Sequence, residues 1–361
     1  MRSKPVILVA LLLAAFLVNL DTTLVNVALP AMVLQLHATT TQLQWVVDAY
    51  NLVFAALVLS SATMALLVFT IIEAPTYKWG AARSVVGFAA SAVLLAAFIT
   101  WERRAAQPML EVGLFRNMRF SAASGAVTVS FFTLFGFIFL ITQYFQFVRG
   151  YGPLSTGVRL LPVAVSVGAG SVAGTQLAVR AGTKLVVTTG LVAMASFYAW
   201  IAATISAALA YGIIAAQMVV YGLGLGLTSA PATESIMGAI PRAKAGVGSA
   251  INDSTRLIGG TLGVAVIGSV YASVYASRLA ATMPQAVPAP VAAIAHQSVG
   301  AAYVAAGQIA ALGHPALAQA LHHASTNAFL RGLTIGALVA AASPHWGPSW
   351  QYCSCPLSQR P

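Results

Sequence analysis

The chain has 361 residues, of which 59% are hydrophobic and only 7% charged. A water-soluble domain carries about 25% charged residues, so this chain cannot coat itself in water. Its formal charge of +11, from 18 basic and 7 acidic residues, does not mark nucleic-acid binding. The basic residues sit between apolar runs, where loops meet lipid headgroups, and no base-stacking or groove-reading module is present.

Apolar runs fall at 5–30, 43–72, 82–100, 121–147, 158–179, 185–205, 209–231, 257–277 and 326–342. These are about nine segments near the ~20 residues that a helical bilayer crossing needs. They do not alternate as barrel strands would. The expected fold is all-α, a polytopic membrane protein.

The first run follows Arg2 and Lys4. It has no small-residue cleavage site and resumes through Leu24–Pro30, so it reads as an uncleaved span with its amino end in the cytoplasm. Inside it the string LDTTLVNVALP, Leu20 to Pro30, carries Asp21 with Thr22, Thr23 and Asn26. A carboxylate within lipid costs roughly 2.5–3.5 kcal/mol at a helix centre and marks a functional site by default. The competing reading is a polar knot that fixes helix packing.

The second run holds Asp48 and Tyr50 near its outer end, as a vestibule gate or an interfacial carboxylate. Its ~30 residues make a helix of roughly 45 Å, against a hydrocarbon core of ~30 Å. The basic residues of 101–119 (Arg103, Arg104, Arg116, Arg119) place that loop in the cytoplasm. An odd number of runs separates it from the cytoplasmic amino end, so the front of the chain breaks parity.

Further along, Gly170/Gly174, Gly222/Gly226 and Gly259/Gly263 have GxxxG spacing and predict close helix approach. Gly168-x-Gly170-x-x-x-Gly174 lies in an apolar run with no strand before it, so it fails as a dinucleotide fingerprint. Glu234 follows Pro231, either at a half-helix break lining a cavity or at a cytoplasmic helix end. Asp253 and Arg256, three apart, share a helix face and predict an ion pair or a coupling site at the cytoplasmic mouth. Residues 280–324 read as a periplasmic loop with an Ala-rich amphipathic helix around 289–312. Its His314, His322 and His323 lack an accompanying carboxylate, so no metal site is expected. Cys353 and Cys355 lie in the polar tail and exclude a disulfide framework elsewhere.

Several of these strings resemble the major facilitator superfamily, specifically its fourteen-span drug/proton antiporter branch of the EmrB/QacA type. They are LDTTLVNVALP, LQWVVDAYNLVFAALVLSS (Leu43–Ser61), IIEAPTYKWG (Ile71–Gly80), WERRAAQPMLEVGLFRNMRFS (Trp101–Ser121), YGPLSTGVRLLP (Tyr151–Pro162) and PATESIMGAIPRAKAGVGSAINDSTRLIGGTLGVAVIGS (Pro231–Ser269). After its second span the family carries a loop of the form GxLxDRxGRRxxL, then a span with a buried arginine and one rich in Gly and Pro. Here Ser60–Ser61 runs almost directly into Met64–Ile72. The comparison implies that roughly four to five spans of ~20 residues are missing, which would account for the overlong second run and the broken parity. The final PHWGPSWQYCSCPLSQRP resembles nothing in the family and reads like a frame-shifted tail.

The implied organisation is a front-bundle remnant over 1–72, a linking span and cytoplasmic loop over 73–120, a carboxy-terminal bundle over 121–343 and an aberrant tail over 344–361. The implied function is proton-coupled efflux of small amphipathic compounds across the plasma membrane, weakened by the missing spans. Asp21, Asn26, Asp48, Tyr50, Glu234, Asp253 and Arg256 are the candidates for the proton or substrate pathway. The expected partners are a small-molecule substrate, protons and the lipid bilayer, with no cofactor. The alternative is a non-transporting membrane protein that associates with or inhibits a full-length relative. An enzyme is not expected, since no paired catalytic carboxylates, nucleophile–base set or metal motif occurs.

Overall fold

A computed structural model describes residues 44, 58–104, 112–241 and 245–343. The first expected span, the first half of the second (apart from residue 44) and the tail lie outside them. The described chain is helical. An antiparallel pair comes first: α1 (Val58–Tyr77), carrying Pro75 near its end, and α2 (Ala82–Arg104). The tight link between them turns at Lys78, whose φ is 71°. Then follow α3 (Met118–Gln143), α4 (Pro153–Arg159), α5 (Leu161–Ala181), α6 (Thr183–Thr204), α7 (Tyr211–Gly238) and α8 (Ala245–Thr282). Two short helices, α9 (Ala289–Gln297) and α10 (Val299–Ala311), lead into α11 (Pro315–Ala342).

Helix ends follow local chemistry. Asn117 caps α3, its side-chain oxygen accepting from the N–H groups of Arg119 at 3.0 Å and Phe120 at 3.4 Å, which offsets part of the cost of orphan donors at a helix start. α3 loosens into a π-turn over Tyr144–Val148 before Gly150 breaks the chain at φ 67°. Prolines open α4, α5, α9 and α11, where a missing N–H costs nothing. Gly182 at φ 88° divides α5 from α6, a conformation that side chains other than glycine's disfavour.

Six segments among the described residues are long and apolar enough to cross a membrane: Ala82–Thr100, Met118–Val148, Pro153–Ala181, Thr183–Thr204, Tyr211–Gly238 and Ala245–Thr282. The molecule is a multi-pass, all-α membrane protein. Large apolar side chains stand outward on its flanks, among them Val86, Val93, Val165, Val172 and Val179; lipid, not water, suits such a surface.

Three differences from the sequence expectation are structural. The apolar part of α1 that is described, Ala62–Tyr77, is shorter than a span. The expected loop 280–324 is mostly helix, and α11 starts at Pro315, well before residue 326. α8, with 38 residues, is about 57 Å long at 1.5 Å per residue, nearly twice a hydrocarbon core. One face of its last turns is covered. Tyr275 donates to the carbonyl of Ala295 at 2.9 Å, and Tyr275, Leu279, Val287, Ala295 and Val299 belong to one buried apolar cluster.

The bundle closes through glycines. A Cβ on Gly170 would lie 2.7 Å from the carbonyl oxygen of Leu223, and one on Gly226 would lie 2.5 Å from the carbonyl oxygen of Val167. The α5 and α7 backbones therefore touch along the two predicted GxxxG rows. Gly259 and Gly263 do the same on α8, their Cβ positions falling 2.3 Å from Thr128 O and 2.0 Å from Phe132 O of α3. α7 is small on a second side too, where a Cβ on Gly224 would lie 2.7 Å from the carbonyl oxygen of Gly190 on α6. The α1–α2 pair leans on α8 through Val68, Ile71 and Ile72 against Ala265, and Ser269 donates to the Ile71 carbonyl at 2.8 Å.

Gly226→Leu or Gly263→Leu is expected to cost at least the upper end of the ~1–3 kcal/mol of an overpacked core, since the neighbour is backbone and cannot rotate away. Gly125→Ala, where nothing lies within 4 Å, is expected to be neutral or to stabilise its helix by about 0.5–1 kcal/mol. Thermal unfolding in detergent, followed by monodispersity on a sizing column, measures both. Equal behaviour of the three variants would remove the glycine rows as the packing constraint.

Candidate functional site

The inner faces of α3, α7 and α8 carry most of the buried polar side chains. Ser124, Ser130 and Thr133 lie on α3, Gln217, Thr228 and Ser235 on α7, and Asn252, Thr255 and Thr261 on α8. A cation sits among them. Arg256, half-buried on α8, donates to the Thr233 hydroxyl of α7 at 3.1 Å. Thr233 in turn donates to the Asn252 side-chain oxygen at 3.2 Å. The guanidinium carbon lies 5.1 Å from the ring centre of Phe131 on α3. One arginine thus joins three helices through a hydroxyl, an amide and an aromatic face, while its Nε is buried with no partner among the described residues.

Of the sequence-predicted candidates, Arg256 is at this node and the other two described ones are not. Asp253 is exposed on α8 and makes no hydrogen bond or ion pair among the described residues. The expected Asp253–Arg256 contact is replaced by the bond to Thr233. Glu234 is exposed, and α7 runs unbroken through Pro231 to Gly238. No half-helix break therefore forms beside Glu234, which stands near a helix end. Asp21, Asn26, Asp48 and Tyr50 lie outside the described residues. Sequence reading missed Thr233, Asn252 and Phe131. Asn252 was within reach of it, since it stands four residues before Arg256 on the same helical face. Thr233 and Phe131 come from other helices, and nothing local announces them.

Above the node the core is aromatic. Phe137 of α3, Phe197 and Tyr198 of α6 and Tyr221 of α7 pack with ring centres 4.6–5.9 Å apart. Both phenols reach Thr133: Tyr221 shares a hydrogen bond with its hydroxyl at 3.2 Å, and Tyr198 donates to its carbonyl. The opposite end is fastened by cations. Arg149 donates to the Ala207 carbonyl at 2.8 Å and to Tyr151 Oη at 3.3 Å. That second bond holds the Tyr151 phenol below its usual range. Arg159 stacks 3.9 Å over the Tyr151 ring, and such pairs contribute ~0.5–1 kcal/mol at exposed sites.

A multi-pass helical bundle with a half-buried cation on its inner faces carries the kind of intramembrane ionisable group that marks a candidate functional site. No family model matches the chain. It is 32% identical over 206 residues to the multidrug resistance protein Stp of Mycobacterium tuberculosis, which covers 57% of this chain and 38% of that protein. It is 33% identical to the tetracenomycin C resistance and export protein of Streptomyces glaucescens, over 60% of this chain and 40% of that one. It is 32% identical to the multidrug efflux pump LfrA of Mycolicibacterium smegmatis, over 60% of this chain and 42% of that one. The matches therefore span about two fifths of these relatives' length. A solved bacterial homologue of the human lysosomal transporter Spinster, inward-facing and unoccupied, aligns with TM-score 0.45 at 15% identity over 82% of this chain and 70% of that one.

Replacing Arg256 by Met keeps most of its volume and removes a half-buried cation whose desolvation the exposed Asp253 offsets only in part. Exchanging buried charge for apolar volume is often neutral or stabilising by 1–4 kcal/mol, so Arg256→Met is expected to raise the unfolding midpoint in detergent by a few degrees. Thr233→Val leaves the guanidinium with one donor fewer satisfied, at a cost of ~1–3 kcal/mol, and is expected to lower it. A strongly destabilised Arg256→Met would show that the cation is a structural tie, and a stabilised Thr233→Val would show that the Thr233 hydroxyl does not serve the cation.

Proposed function

We propose that this chain is a drug-exporter relative of major facilitator type, from the fourteen-span antiporter branch. In this reading its carboxy-terminal bundle, 121–343, is complete, while 1–72 is a remnant of the front bundle and 73–120 is a link. The activity it carries is proton-coupled efflux of small amphipathic compounds across the plasma membrane. The observation that supports this best is the presence of Arg256 with its hydroxyl, amide and aromatic partners inside the bundle of a chain that matches three named resistance or efflux proteins over more than half of its length.

In this reading Arg256 is a fixed positive charge near the cytoplasmic mouth. It favours the ionised form of any carboxylate brought beside it and releases that carboxylate on protonation. Asp253, one turn away, and Asp21 of the front segment are the carboxylates assigned to that exchange. The aromatic wall of Phe137, Phe197, Tyr198 and Tyr221 gives amphipathic solutes a polarizable surface with hydroxyls at its edge. Alternating access requires two opposed repeats rocking about a central site, and most of one repeat is missing. Export by this chain alone is therefore weak.

Cells expressing the chain are expected to accumulate a fluorescent cationic dye nearly as well as cells without it. The purified chain is expected to bind a polycyclic aromatic such as tetracenomycin C in detergent, with binding lost in Arg256→Ala. Robust export that an uncoupler abolishes would overturn the impairment. Absence of any binding would overturn the drug-exporter assignment. Co-purification with a full-length relative, combined with lowered export by that relative, would replace it with the non-transporting partner reading.

A further inference from the structure

A second site lies at the basic end of the bundle, away from Arg256. The first turn of α3, the first turn of α6 and the last turns of α7 enclose a cavity of about 60 Å³. Its walls are Ala122 and Ala123 of α3, Val187 of α6 and Ala232 of α7. Its polar lining is Arg119, Thr183, Lys184 and Ser235. Among the described residues no carboxylate lines it.

Three further observations point to an anion. Ser235 is only 3% exposed, lines the cavity and makes no hydrogen bond among the described residues; a buried hydroxyl in that state costs free energy until something bonds it. α6 begins at Thr183 with Gly182 as its cap and no side-chain cap. Its first N–H groups therefore stay open where the helix dipole favours negative charge. Arg119 is exposed beside the cavity and Lys184 lines it, so two cations converge on a space with room for several water-sized groups.

The position selects the source of the anion. The cavity lies where three spans end, on the side whose α2–α3 link carries Arg103, Arg104 and Arg116, the side that the charge bias makes cytoplasmic. Headgroups of the inner leaflet stand at that level. The walls are apolar, and Phe115 and Met118, just before Arg119 in the chain, are exposed. A glycerol backbone and the first methylenes of a lipid tail match such walls, whereas a free ion does not need them. We propose that this cavity is a binding site for the phosphate group of an anionic inner-leaflet phospholipid, with Arg119 and Lys184 as its cationic clamps and Ser235 and Thr183 as hydroxyl donors.

The test uses the full chain purified in mild detergent, with phosphatidylglycerol, phosphatidylcholine or inorganic phosphate added, read by native mass spectrometry and by the unfolding midpoint. Phosphatidylglycerol is expected to give a retained adduct and a raised midpoint, and phosphatidylcholine neither. Arg119→Gln with Lys184→Gln is expected to weaken phosphatidylglycerol binding about thirtyfold, since each headgroup cation contributes ~1 kcal/mol. Ser235→Ala should weaken it by a smaller factor. Arg119→Lys with Lys184→Arg, which keeps both charges, should retain most of the binding and so separates charge loss from misfolding. Arg278→Gln, at the far end of α8, should change nothing. Undiminished phosphatidylglycerol binding in the doubly neutralised variant would overturn the site. Inorganic phosphate that stabilises the chain equally and displaces the lipid would overturn the lipid as its source.

Discussion

Contact between backbones holds this molecule together. In lipid there is no water to expel from between two helices, so association rests on dispersion and on polar bonds between helices. Dispersion falls off within an ångström of contact, and only glycine lets two helices come that near. α7 is the element most committed to this. It presents Gly222 and Gly226 to α5 and Gly224 to α6, so its position is fixed from two directions with almost no side-chain volume between. α8 meets α3 through Gly259 and Gly263 in the same way. Helices α3, α5, α6, α7 and α8 thus form a frame tolerant of lipid outside and intolerant of added bulk inside.

That frame explains why the Arg256 node is well defined. The bond from Arg256 to Thr233 spans α8 and α7, and the face contact with Phe131 spans α8 and α3. Long side chains reach across a junction reliably only when the backbones are held at a set spacing, which the glycines supply. Desolvation opposes the cation, and the hydroxyl, amide and ring offset it only in part, leaving Nε unpartnered. A group kept at such a cost in the interior is the kind that membrane proteins retain for function.

The sequence made the helices legible because apolar runs near the length of a membrane crossing are hard to mistake, and each of the six expected runs from 82–100 to 257–277 lies, to within two residues at its ends, inside a helical segment long enough to cross a membrane. It also made the glycine rows legible, since GxxxG spacing carries its own geometry. It was poor at ends. α8 begins at Ala245 and α11 at Pro315, both earlier than hydropathy placed them, because the polar first turns of a helix look like loop when only apolarity is counted. In the site, Arg256 was visible as a cation beside an apolar run. Its partners were not, because Asp253 was nearest in sequence and Thr233 nearest in space. Local spacing proposes same-face pairs within one helix, while a node between helices is set by how the bundle closes.

The two basic sites differ in what surrounds each cation. Arg256 is enclosed by three helices and meets neutral acceptors and a ring, so it acts on whatever charge enters the bundle. Arg119 and Lys184 flank a shallow space at the helix ends with an unbonded buried hydroxyl at its wall, so they act on charge from outside. Exchanging the residues would not exchange the roles. A lysine at 256 would carry a compact, strongly hydrated charge, harder to desolvate and unable to spread over a ring. The planar guanidinium is the side chain that can sit half-buried, bond a hydroxyl at its edge and lie over an aromatic face at the same time.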